Sequence, residues 1–191
     1  RGLGDVYKRQ IFIDRLLLEL IMRNLQRPGR SPLMASNAMI ATSHPLASQV
    51  GIDILKSGGN AVDAAIAACA TLCVVEPAMT GIGGDCFSLY SPAGSQAPLA
   101  LNGSGRAPKA ASVDGMRSKG VNTIEVQSAH AVTVPGVIAA WTKLNEDHGN
   151  KSMEELLVPA INYAENGFPV MHRVGVDWAG LQTKLLADDV A

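Results

Sequence analysis

GGNAVDAAIAACATLCVVEP, residues 58–77, and the AMTGIGGDCFSLY that follows it to residue 90 decide the fold class. Gly58-Gly59 closes the helix before it, because a chain leaving a helix through the left-handed region favours glycine. Asn60 is then a side-chain cap for a new helix. From Ala61 to Val75 the only charge is Asp63, and most side chains are small. A helix that is apolar all round belongs inside, with its neighbours packed close. Glu76-Pro77 stops it, since the residue before a proline is pushed out of the helical region. Thr80 to Asp85 reads as a tight turn whose glycines need positive φ and close backbone approach. Cys86 to Tyr90 alternates as a strand.

Working outward, Met39–Thr42 is a short apolar strand candidate. Thr42 or Ser43 can cap the helix behind it, with Pro45 in its first turn. Leu46, Ala47, Val50, Ile54 and Leu55 give that helix its apolar face. Downstream, Ser91–Ser95 is a turn and Pro98–Leu101 a partner strand. Asn102–Pro108 is an irregular loop at its end. Ser112–Lys119 reads as a short polar helix and Ala129–Val134 as a strand. Pro135-Gly136 opens a helix to about Asp147. Ser152 and Glu155 form a capping box for a helix ending near Gly167, and a last helix begins near His172. Helices mixed with a hairpin make the class α+β with a layered sheet.

The 191 residues are 47% hydrophobic and 17% charged, enough for a sizeable core and unlike a disordered tail. A net charge of −1 lacks the excess of basic residues a nucleic-acid binder shows. No stretch of 18 uncharged apolar residues offers a transmembrane helix. Three cysteines cannot build a disulfide framework, and their odd number suits a reducing compartment. The charge is uneven: the first 30 residues hold 7 of the 16 basic groups and 3 of the 17 acidic ones. DVYKRQ, residues 5–10, resembles the translated end of a sequencing adapter. Residues 1–21 are therefore expected to be a scar and non-native extension, with the domain over 22–191. With Met22 as the start there is no export signal and the expectation is cytoplasmic; the alternative is periplasmic.

The glycine-rich turn could cradle a phosphate if it ran from strand to helix. It runs from helix to strand, so a small-ligand module on Gly81–Asp85 stands only as an alternative. Cys69 and Cys73 share a helix face without further metal ligands at suitable spacing, and read as buried small hydrophobes. Cys86 has no evident base beside it. The four histidines are scattered, with His148 at a solvated helix end. Arg106 is the informative charge, alone between Arg30 and Arg117 in a Gly/Ser loop at a strand end. Its fork can take a carboxylate with two parallel hydrogen bonds; a surface or structural ion pair is the other reading.

MIATSHPLASQVG (39–51), GGNAVDAA (58–65), EPAMTGIGGDCF (76–87) and LNGSGRAP (101–108) together resemble the gamma-glutamyltransferase family. TVPG (133–136) and ENGF (165–168) continue the match. The resemblance implies an N-terminal-nucleophile hydrolase, a four-layer αββα sandwich made as one precursor that cuts itself before a threonine. The freed threonine hydroxyl would attack a γ-glutamyl amide such as glutathione. Its own α-amine would be the base, and water, an amino acid or a peptide the acyl acceptor. The match covers the front part of the family's large subunit, and none of the seven threonines here fits the nucleophile motif. The resemblance thus places the nucleophile beyond Ala191, carries over no catalytic residue, and implies the small subunit as partner. It implies no cofactor, metal, nucleic acid or membrane. It does assign Arg106 to the substrate's carboxylate. The Asn102–Pro108 loop also resembles cephalosporin acylase-like members, so a glutaryl acylase of the same fold is an alternative.

Overall fold

The computed structural model describes residues 33–125 and 128–186. The expected extension over residues 1–21 lies outside them. From Asn37 onward the described chain packs as one unit. Its elements are α1 (Pro45–Lys56), α2 (Ala61–Val75), β1 (Cys86–Tyr90), β2 (Leu99–Gly103), α3 (Val113–Ser118), α4 (Val137–His148), α5 (Met153–Asn166) and α6 (His172–Leu185). A single 3-10 turn, Ala129–Ala131, precedes α4.

The helix α2 is the centre. It buries Val62, Asp63, Ala64, Ile66, Ala67, Ala68, Ala70, Thr71 and Val75. Val50 and Ile54 of α1, Val137 and Trp141 of α4, and Leu156 and Ala160 of α5 close round it into one core. Small residues permit this crowding: Ala67 is wholly inaccessible, as is Ala47 on α1. Cys69 departs from its expected burial. It lies exposed, while Cys73 and Cys86 are half-buried.

Asp63 shows how the helix start is tied down. Asn60 caps the helix by accepting from the Val62 and Asp63 amides, and the Asp63 carboxylate accepts in return from the Asn60 amide at 2.8 Å. That fully buried carboxylate also accepts from the Asn150 and Lys151 amides at 3.1 and 3.3 Å. One side chain thereby satisfies donors from the α2 start and the α4–α5 turn.

The sheet has two antiparallel strands, with Cys86 opposite Gly103 and Tyr90 opposite Leu99. Cys86, Ser88 and Tyr90 are half-buried, whereas Phe87 and Leu89 are 70% and 78% exposed. Side chains of successive residues point to opposite faces, so among the described residues one face is packed and the other bare.

Several expectations are corrected. His44, not Thr42 or Ser43, caps α1; its Nδ1 accepts from the Leu46 amide at 3.2 Å. The Thr42 hydroxyl instead donates to the His44 carbonyl and shares a hydrogen bond with Ser48. Met39–Thr42 forms no strand, with no neighbouring strand among the described residues. The strand expected over Ala129–Val134 is the 3-10 turn followed by irregular chain. There the Ser128 hydroxyl takes the His130 amide, a local bond that competes with strand pairing. β2 runs two residues further than expected, through Asn102 and Gly103. His148 is half-buried, its ring 4.8 Å from that of Tyr90. No helix of the described residues is long and apolar enough to cross a membrane.

Candidate functional site

Three stretches of glycine-bearing backbone meet where β1 begins, β2 ends and α4 starts. The Gly84 carbonyl accepts from the Gly136 and Val137 amides, each at 3.1 Å. The Asp85 carboxylate accepts from the Gly105 amide at 2.7 Å. The Arg106 carbonyl accepts from the Val134 amide at 3.0 Å. Asn102 folds the loop from within, accepting from the Ser104 amide at 3.0 Å and its hydroxyl at 2.6 Å.

Side chains are excluded from this junction. A Cβ on Gly105 would overlap the Val134 carbonyl oxygen, and one on Gly136 would overlap that of Gly103. A Cβ on Gly103 would sit 2.9 Å from the Cys86 oxygen. The close approach expected of the Gly81–Asp85 turn is therefore found at its partners. The turn itself holds no positive φ at Gly81, Gly83 or Gly84, which corrects that part of the reading. A strand, not a helix, follows the turn, and the amides at the α4 start, Gly136 and Val137, are taken up by the Gly84 carbonyl.

Arg106 comes out of this junction exposed. The ion pairs among the described residues are Lys143–Asp147, Lys151–Glu155 and Arg173–Asp177, and Arg106 takes part in none. A shallow cleft of about 220 Å3 adjoins the loop, lined by Pro108, Met116, Lys119, His130 and Val132 among others; Arg106 does not line it.

Of the remaining candidates, Cys86 borders the junction, opposite Gly103. Burial pushes the Cys73 and Cys86 thiols up, and the neighbouring Thr80 and Trp141 oppose that shift without reversing it. Neutral thiols are poor nucleophiles and poor metal ligands. No group of three or more His, Cys, Asp or Glu among the described residues could hold a metal ion. The junction presents one exposed arginine whose backbone is held on both sides. The roles of Asp85, Gly105 and Gly136 were missed from the sequence; their glycines were visible, but their partners lie far along the chain.

Residues 47–190 match the family model described as gamma-glutamyltranspeptidase. The chain is 41% identical over 138 residues to the glutathione hydrolase-like YwrD proenzyme of Bacillus subtilis, an alignment covering 72% of this chain and 26% of that protein. Helicobacter pylori gamma-glutamyltranspeptidase superposes with a TM-score of 0.77 at 31% identity, covering 84% of this chain and 46% of that one. The cephalosporin acylase of Bacillus halodurans gives a TM-score of 0.74 at 39% identity, covering 86% and 32%. The chain thus spans between about a quarter and under half the length of these relatives.

Proposed function

This chain belongs to the gamma-glutamyltranspeptidase family, with the N-terminal-nucleophile hydrolase fold of its solved relatives, and we propose that the intact protein is a self-cleaving γ-glutamyl transferase or hydrolase. In that reading a threonine hydroxyl outside these residues attacks the γ-glutamyl carbonyl of glutathione or a related amide. The C–N bond breaks, the amine leaves with a proton, and the acyl group stays on the threonine oxygen. Water, an amino acid or a peptide then takes it. A relative described as a proenzyme supports the self-cleavage.

Arg106 is this chain's contribution: its guanidinium holds the substrate's α-carboxylate in two parallel hydrogen bonds. One observation carries the assignment. A loop tied to the Asp85 carboxylate and the Val134 amide holds Arg106 exposed and outside every ion pair among the described residues. An arginine kept for structure would be expected to have an acidic partner.

The test is Arg106→Lys in the intact protein. Lysine keeps the charge and loses the fork. Substrate binding should weaken by about 1.5–3 kcal/mol, the worth of hydrogen bonds to charged groups. The loss should appear in KM more than in kcat. Unchanged kinetics would make Arg106 structural.

A glutaryl acylase is the second reading, favoured by the 39% identity to the cephalosporin acylase. Glutaryl and γ-glutamyl groups each present a carboxylate to Arg106, so the arginine does not separate them. The ratio of kcat/KM for a glutaryl and a γ-glutamyl amide decides which is the natural acyl group.

A further inference from the structure

We propose that Asp85 is a positioning residue for substrate binding, acting through Gly105 to set the place of Arg106. The proposal rests on Arg106 as the carboxylate-binding residue and adds the device that aims it. Asp85 is the last residue of the turn before β1, and Arg106 lies in the loop after β2. The strands are hydrogen-bonded with Cys86 opposite Gly103, which brings the two connections together.

The backbone around Arg106 is fixed on both sides. The Gly105 amide, immediately before it, donates to Asp85 Oδ1 at 2.7 Å, and the Arg106 carbonyl accepts from Val134 at 3.0 Å. An amide given to a carboxylate makes a stronger bond than one given to a neutral acceptor. Gly105 has no side chain with which to resist rotation, so an external hold on its amide decides where the next residue sits. Its close contact with the Val134 carbonyl leaves the loop one way to lie. Asp85 makes no ion pair among those found in the described residues, so its carboxylate is not spent on charge neutralisation. A bidentate clamp on a carboxylate demands accurate placement, and a small displacement of the guanidinium forfeits one of its two bonds.

The experiment uses the intact protein with a γ-glutamyl anilide. Asp85→Ala should raise KM about three- to tenfold with kcat within about twofold, the loss of one hydrogen bond that orients rather than reacts. Asp85→Asn keeps an acceptor oxygen and should restore KM to near wild type. In an Arg106→Ala background, Asp85→Ala should add almost nothing, because its effect passes through the arginine. Deuterium exchange at the Gly105 amide should quicken in Asp85→Ala and not in Asp85→Asn. Unchanged KM and unchanged exchange in Asp85→Ala overturn the proposal, as do fully additive effects in the double variant. If the wild type turns over neither γ-glutamyl nor glutaryl amides, the functional reading fails instead. The exchange measurement then still decides whether Asp85 holds Gly105.

Discussion

His44 is a buried polar side chain with one atom unanswered. It is 2% exposed, and its Nδ1 accepts from the Leu46 amide. A neutral ring that accepts at Nδ1 carries its proton on Nε2, and Nε2 is buried with no partner among the described residues. Burial pushes its pKa below the ordinary 6.5, and the nearby Glu76 carboxylate, which accepts from the Ser43 hydroxyl, opposes that shift without reversing it. Protonation at Nδ1 would also cost the cap of α1. The unfolded chain takes up a proton near pH 6.5, while folded His44 takes it up only at lower pH. Between those values the unfolded state binds more protons, so His44's contribution is complete above 6.5 and shrinks as pH falls through the window. Urea midpoints of the intact protein should therefore drop from pH 7.5 to pH 5.5. His44→Asn keeps a cap acceptor and cannot titrate, so its midpoint should change less over the same range. Parallel profiles would place the pH dependence on another group.

At the scale of elements, the helices and the β1–β2 hairpin were legible, and strand pairing beyond the hairpin was not. Ser152 with Glu155 forms its capping box as read, and Asn60 caps its helix as read, with Asp63 completing a second box that the sequence reading did not name. Gly58 and Gly167, each at positive φ, end their helices as their positions suggest. A strand needs a neighbour that local sequence does not name. That is why Met39–Thr42 and Ala129–Val134 look alike on paper to Cys86–Tyr90, yet only the last finds a ladder among the described residues. The exposure of Cys69 has a similar cause. A helix apolar on every side does not say which side its neighbours leave open. The α2–α5 contact gives the strictest test of packing, because Leu156 is wholly buried in the core there. Leu156→Ala should cost about 2–5 kcal/mol by transfer and cavity, read from denaturant unfolding of the intact protein. The exposed neighbour Glu154→Ala should change stability by no more than about 0.5 kcal/mol. Equal effects would mean that α5 is not packed as described.

For the molecule as a whole, Arg106 stood out by its loop and its isolation among the charges, but what holds it did not. The Asp85–Gly105 bond joins residues 20 apart, and the Gly84–Gly136 bond spans still more. Neither has a local signature, since a glycine needed for close approach looks like any turn glycine until its neighbour is known. The same holds for the two faces of the hairpin. Strand alternation announces that Phe87 and Leu89 share a face, but not whether anything lies on it. Helix α4 and the core pack against the Cys86 and Tyr90 side, and the Phe87–Leu89 side is bare among the described residues. A sheet with helices on one face and apolar side chains open on the other has a layer missing among the described residues, because each apolar face must be buried against something. The 191-residue polypeptide expressed by itself should therefore bind a hydrophobic dye and associate as its concentration rises. Phe87→Ser with Leu89→Ser should reduce both while leaving the far-ultraviolet circular dichroism unchanged. These side chains make little of the helical core, so the double variant separates surface from stability. Dye binding undiminished by the pair would show that the apolar surface lies elsewhere, and a loss of helical signal would show that the hairpin's outer face does support the core.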